Sequence, residues 1–182
     1  MGLKPTYQLA AQAMGKALAQ RGIELVYGGG NVGLMGEVAD AAIATGGRAI
    51  GVIPEALVAK ELAHTGLTHL HIVSSMHERK ALMSDLADAF VALPGGYGTL
   101  DEFCEMLTWT QLGLQQKPCG LLNVAGYYDN LIAMFDRAVS EQFLRKENRQ
   151  LVLEEQDPFR LLDLLANYQP AIVEKWIDRN EI

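Results

Sequence analysis

Short apolar runs alternate along the chain with longer segments whose apolar residues recur every three to four positions. That is the pattern of buried strands separated by one-sided helices. Helical spacing runs from about Tyr7 to Arg21, with Leu9, Ala13 and Leu18 on one face, and Gly22 closes it. Ile23 to Tyr27 reads as a short buried strand. Gly28-Gly29-Gly30 turns the chain into a helix over Val32 to Thr45, which Gly46-Gly47 ends. Arg48 to Ile53 is the next strand, and Pro54 breaks it. A polar loop around Glu61 to Thr65 leads to a strand at Leu70 to Val73 and a helix from Met76 to Ala87. The apolar run Ala89 to Leu93 enters Pro94-Gly95-Gly96-Tyr97-Gly98-Thr99, and the helix after it continues to about Leu112. Gly120 to Asn123, a helix from Tyr128 to Glu141 and a last helix from Pro158 to Ala166 complete the reading.

This alternation predicts an α/β sheet covered by helices on both faces. With 182 residues, no repeat and no linker, the chain is expected to form a single domain, 1–182. A doubly wound sheet usually opens with a strand, yet Met1 to Pro5 passes almost at once into a helix. Either the first strand is missing or residues precede Met1 in the natural protein, and the second is the expectation. The tail from Pro170 to Ile182, with Trp176 among charges, is expected to pack on the surface or on a partner subunit.

Charge narrows the function classes. The formal net charge is −7 and no basic run occurs, which argues against nucleic acid or an anionic membrane as partner. An anionic ligand therefore has to be held by local positive groups. Cys104 and Cys119 lie far apart in no ligand-like spacing and read as free thiols of a reducing compartment. No uninterrupted apolar stretch approaches 18 residues and no signal segment opens the chain, so a soluble, cytoplasmic protein is expected.

Candidate chemistry gathers at the glycines. Gly28 to Gly36 follows a strand and precedes a helix, a context suited to phosphate or ribose, although tight helix–sheet packing explains it equally well. It is not the usual dinucleotide fingerprint, because no acidic residue closes a strand some 20 residues on. The second cluster, Gly95 to Thr99, offers backbone N–H groups at a helix start and the Thr99 hydroxyl, both useful to phosphate oxygens. Glu102 lies one turn further in, where the helix dipole alone is a competing account of an acid; beside a phosphate nest, however, a carboxylate is awkward unless it serves another part of the ligand. Arg79 and Lys80, adjacent near a helix start, oppose the dipole and point about 100° apart. One of them is placed to face the sheet while the other faces solvent, and a plain solvated face is the competing reading. His69 and His71 share a strand face but have no evident third ligand, and His64 and His77 read as hydrogen-bonding residues; no metal site is expected.

Met76-x-x-Arg79-Lys80 followed by Pro94-Gly95-Gly96-Tyr97-Gly98-Thr99-x-x-Glu102 resembles the paired signature of the Lonely Guy family. These are cytokinin riboside 5′-monophosphate phosphoribohydrolases, often mislabelled as possible lysine decarboxylases. Val26-Tyr27-Gly28-Gly29-Gly30, Gly33-Leu34-Met35-Gly36, Leu107-Thr108-Trp109 and Gln111-Leu112-Gly113 match as well, so the likeness runs from about Pro5 to about Phe143. The resemblance implies a Rossmann-like doubly wound α/β domain, a homodimer, and no cofactor. It implies hydrolysis of the N-glycosidic bond of AMP and N6-substituted AMP to free base and ribose 5-phosphate. It assigns catalysis to Arg79 and Glu102, and substrate contact to Arg79, Lys80, Gly95, Gly96, Tyr97, Gly98, Thr99, Leu100 and Asp101, with Glu61 as an addition. Family members begin with a strand ending in a Cys-Gly-Ser type turn, from which this chain departs.

On this reading Glu102 stabilises the oxocarbenium-like ribose, while Arg79 either bonds the phosphate or helps the departing purine accept electrons. The alternative is a non-catalytic nucleotide or cofactor carrier on the same fold, which would not need Arg79 and Glu102 together. Amino-acid decarboxylation would need a cofactor-binding lysine, and Lys80 is the only one near the glycine motifs.

Overall fold

The computed structural model describes residues 2–58 and 63–170, and the chain divides into two compact units, residues 1–87 and 88–182. Each unit is built of parallel strands connected through helices, the α/β class the alternation implied. Among the described residues the strands form two three-stranded sheets, one per unit.

The first unit opens with helix α1 (Pro5–Gln20), which carries Pro at its first position, where the missing N–H costs nothing. Strand β1 (Leu25–Tyr27), helix α2 (Gly33–Ala44) and strand β2 (Ala49–Pro54) follow, then a single turn α3 (Glu55–Val58), strand β3 (His69–Val73) and helix α4 (Met76–Leu86). β2 lies between β1 and β3 and pairs parallel with both, and all its residues are buried. That central place explains its unbroken apolar run, since a parallel strand is covered on both faces. α1 contributes Ala11, Met14, Ala17 and Leu18 to the core, and α2 contributes Val38, Ala39, Ala41 and Ala42. Pro54 does not break β2 but ends it, in register with Val73. At the last position of a strand the absent N–H removes no bond that the ladder needs.

The second unit contains β4 (Phe90–Ala92), helix α5 (Tyr97–Gln111) and β5 (Cys119–Leu122), then a 3-10 turn at Val124–Gly126. Helices α6 (Asp129–Ser140) and α7 (Lys146–Arg149), strand β6 (Val152–Glu155) and helix α8 (Pro158–Ala166) complete it. β5 is central, with β4 and β6 parallel on either side. Phe103 and Met106 of α5 pack with Ala92, Cys119, Leu121, Tyr128 and Val152, while Leu161, Leu162 and Leu165 of α8 supply further buried surface. Burial pushes the Cys119 thiol up to about 12, against a smaller opposing effect of Thr110, so it is a neutral core group. The Cys104 thiol is raised too, by burial and then by Asp101. No described helix is long and apolar enough to cross a membrane.

Candidate active site

In the first unit the site residues lie on α4 and on the glycine turn after β1. Ser75 caps α4 by accepting from the Glu78 N–H at 3.1 Å, a contact worth about 1 kcal/mol in typical helices. The Glu78 carboxylate turns back to accept from the Ser74 N–H and hydroxyl at 2.8 and 2.6 Å, and those bonds hold it below the usual carboxylate range. The helix start is thus well anchored one residue before Arg79.

Arg79 is 8% exposed whereas Lys80 is half-buried, which resolves the adjacent pair in favour of one inward cation. The guanidinium donates through Nη2 to the Gly28 carbonyl at 3.3 Å and through Nη1 to the Met76 sulfur at 3.8 Å. Its Nε has no partner, and no carboxylate pairs with it among the described residues. A buried charge without a counter-charge costs several kcal/mol, which an anionic ligand can offset. A Cβ at Gly28 would lie in the space the guanidinium takes, so glycine here lets Arg79 approach the turn.

The turn carrying Gly28 is itself clamped. Gly29 adopts φ +74°, and its carbonyl accepts from the His64 N–H at 3.0 Å. The buried His64 ring accepts at Nδ1 from the Gly66 N–H at 3.0 Å, so its proton sits on Nε2, which donates to Asp40 at 2.9 Å. His64 therefore has the hydrogen-bonding duty expected of it. Burial, and then the Asp40 charge, raise the pKa of the Tyr27 hydroxyl well above its ordinary value and keep it protonated. His69 and His71 are exposed on β3 with ring centroids 6.4 Å apart. Among the described residues no group of three metal-ligating side chains forms. Glu61 lies outside the described residues.

In the second unit β4 delivers the chain to Pro94 and Gly95, and α5 begins at Tyr97 with Gly96 as its cap. A glycine cap has no side chain to satisfy the first N–H groups, and no side-chain cap is made. Gly96, Tyr97 and Gly98 are exposed, Tyr97 at 94%. A Cβ at Gly96 or Gly98 would meet nothing, so neither glycine is required by packing, and neither has a positive φ. Gly95 differs, since the Thr99 hydroxyl occupies the place of its Cβ. The arrangement leaves a bare helix N-terminus with open space above it, which suits an anion.

Leu100 and Glu102 are half-buried and Asp101 is exposed. Glu102 is the sixth residue of α5, past its first turn, so the helix dipole does not explain an acid there. The structure thus gathers Gly95 to Glu102 on one helix start, and Arg79 and Lys80 on another element of the other unit.

Three residues of the second unit escaped the sequence reading. The Tyr127 hydroxyl donates to the Gly95 carbonyl and the Tyr128 hydroxyl to the Leu93 carbonyl, each at 2.6 Å. Asn123, at the end of β5, accepts from the Tyr128 N–H at 2.7 Å and donates to Asp129 at 2.8 Å. Burial, then the neighbouring Tyr127, raise the pKa of Tyr128, which stays a donor. Between Asn123 and the two tyrosines the chain turns with positive φ at Ala125 and Gly126, +52° and +71°.

Comparison with known proteins adds three findings. Residues 35–165 match the family model described as possible lysine decarboxylase. The cytokinin riboside 5′-monophosphate phosphoribohydrolase LOG of Oryza sativa subsp. japonica is 48% identical over 169 residues, 93% of this chain and 70% of the rice protein. The cytokinin riboside 5′-monophosphate phosphoribohydrolase LOG7 of Arabidopsis thaliana is 46% identical over 173 residues, 95% of this chain and 80% of that one. Among solved structures, the molybdenum cofactor binding protein of Rippkaea orientalis is similar with TM-score 0.67 and 23% identity, covering 90% of this chain and 88% of its own. The molybdenum cofactor carrier protein of Chlamydomonas reinhardtii gives TM-score 0.67 and 21% identity, over 91% of each chain. At those identities the likeness concerns the fold alone, a Rossmann-like α/β arrangement.

Proposed function

The chain belongs to the family of cytokinin riboside 5′-monophosphate phosphoribohydrolases, and we propose that it performs their hydrolysis with Arg79 and Glu102 as its catalytic residues. It cleaves the N-glycosidic bond of a cytokinin nucleotide, an N6-substituted AMP, to the free base and ribose 5-phosphate. The observation that carries this reading is the near-complete alignment with the rice and Arabidopsis enzymes.

The chemistry follows from the substrate. As the bond between the anomeric carbon and the purine nitrogen lengthens, its electron pair moves to the base and positive charge develops on the ribose. A carboxylate beside that carbon stabilises the charge and takes a proton from the attacking water, while the departing purine gains one. Glu102 is assigned that place. The N–H groups of Gly96 to Thr99 clamp the 5′-phosphate, with Gly95, Leu100, Asp101 and Lys80 as further contacts and Glu61 as an additional one. Arg79 is assigned to the phosphate, because a buried guanidinium with a vacant Nε calls for a full negative charge and a bidentate acceptor. All 182 residues then serve as one nucleotide-binding domain, and no cofactor takes part. The two free cysteines, neither a reactive thiolate, fit a reducing cytoplasm.

The test is chromatography of N6-isopentenyl AMP after incubation with the protein. Free base and ribose 5-phosphate in equal amounts are expected, and AMP is expected to be cleaved as well. A nucleotide recovered intact would favour a carrier instead. We also expect a homodimer, so light scattering should give about twice the chain mass of 19.9 kDa, and a mass equal to one chain would refute it.

A further inference from the structure

We propose that Tyr127 is a positioning residue for phosphate recognition, setting the direction of the Gly96 N–H through its bond to the Gly95 carbonyl. This rests on the reading of Gly96 to Thr99 as the phosphate clamp.

The argument begins with the peptide unit. In a trans peptide the carbonyl of one residue and the N–H of the next point in opposite directions, and no cis bond occurs among the described residues. Glycine on both sides of this unit leaves it free to rotate, so something outside the loop has to fix it. The Tyr127 hydroxyl does so at 2.6 Å, turning the Gly95 carbonyl toward itself and the Gly96 N–H away. That N–H then joins the uncapped donors at the start of α5, where a Cβ at Gly96 or Gly98 would meet nothing. Several N–H groups aimed at one open space form an anion nest.

Tyr127 is well held for this duty. Its ring meets that of Tyr128 edge-on, with centroids 5.0 Å apart and planes at 86°. Tyr128 is 2% exposed, fixed through its N–H to Asn123 and through its hydroxyl to the Leu93 carbonyl. The two hydroxyls thus grip the chain on both sides of Pro94, which has no N–H of its own to anchor. Tyr127 itself is 43% exposed, so its bond to Gly95 is made in competition with water and adds little to the stability of the core.

Tyr127→Phe removes the hydroxyl and keeps the ring. In the full chain, titration with ribose 5-phosphate by calorimetry should show affinity about tenfold weaker than wild type, and KM for the nucleotide about tenfold higher, with kcat changed less than KM. In amide NMR spectra the Gly96 N–H should shift on addition of inorganic phosphate in the wild type. In the variant it should need about tenfold more phosphate to do so. Unchanged affinity and KM, or a lowered melting temperature with phosphate binding intact, would reduce Tyr127 to a structural role. Neither phosphate titration requires turnover, so they remain decisive should the wild type release no base. A Gly96 resonance indifferent to phosphate in the wild type would overturn the clamp itself.

Discussion

Glu102→Gln is expected to lower kcat for base release by about a thousandfold while nucleotide binding survives. The substitution keeps the size of the side chain and most of its hydrogen bonding, and removes the negative charge and the proton acceptor. General base catalysis and electrostatic stabilisation of a developing charge are each worth about 10²–10⁴ in rate, which sets the magnitude. Glu102 is half-buried and glutamine has nearly its volume, so the replacement leaves the packing of α5 through Phe103 and Met106 in place. Single-turnover base release and equilibrium binding of AMP separate the two effects. Turnover near the wild-type rate would remove Glu102 from the mechanism.

Arg79→Ala should be nearly as damaging, lowering kcat/KM by at least about a hundredfold. Here the expected pattern differs, with affinity for the nucleotide and for ribose 5-phosphate both falling. Arg79→Lys is expected to rescue little, since an ammonium cannot reproduce the planar fork that reaches the Gly28 carbonyl while leaving Nε for a ligand. The variant has a second use. Removing a buried charge that no carboxylate offsets among the described residues should leave the melting temperature unchanged or raise it, so lost activity would not be traceable to unfolding. A variant with normal turnover and only a higher KM would make Arg79 a binding residue and nothing more.

How much of this was legible in the chain differs by element and for physical reasons. Pro158–Ala166 was readable to the residue because Asp157 caps it, Pro158 starts it, and its leucines keep helical spacing. Strand β6 was not, because Val152–Glu155 ends in two acids and is only partly buried at the sheet edge, so its apolar signal is short. Arg79 and Glu102 stand out as candidates through the motifs that carry the family resemblance, yet spacing alone could not tell an inward Arg79 from an inward Lys80. The phenolic grip on Leu93 and Gly95 spans 35 and 32 positions of sequence, a separation on which local periodicity carries no information.

The proposed assignment of Arg79 to the substrate's phosphate has a practical corollary. A guanidinium discriminates poorly among small tetrahedral oxyanions, so on that assignment sulfate or phosphate salts in an assay mixture are expected to compete with the substrate. Rates compared between laboratories using different buffers would then disagree for reasons unrelated to the enzyme preparation, and a zwitterionic sulfonate at low ionic strength is the sounder medium.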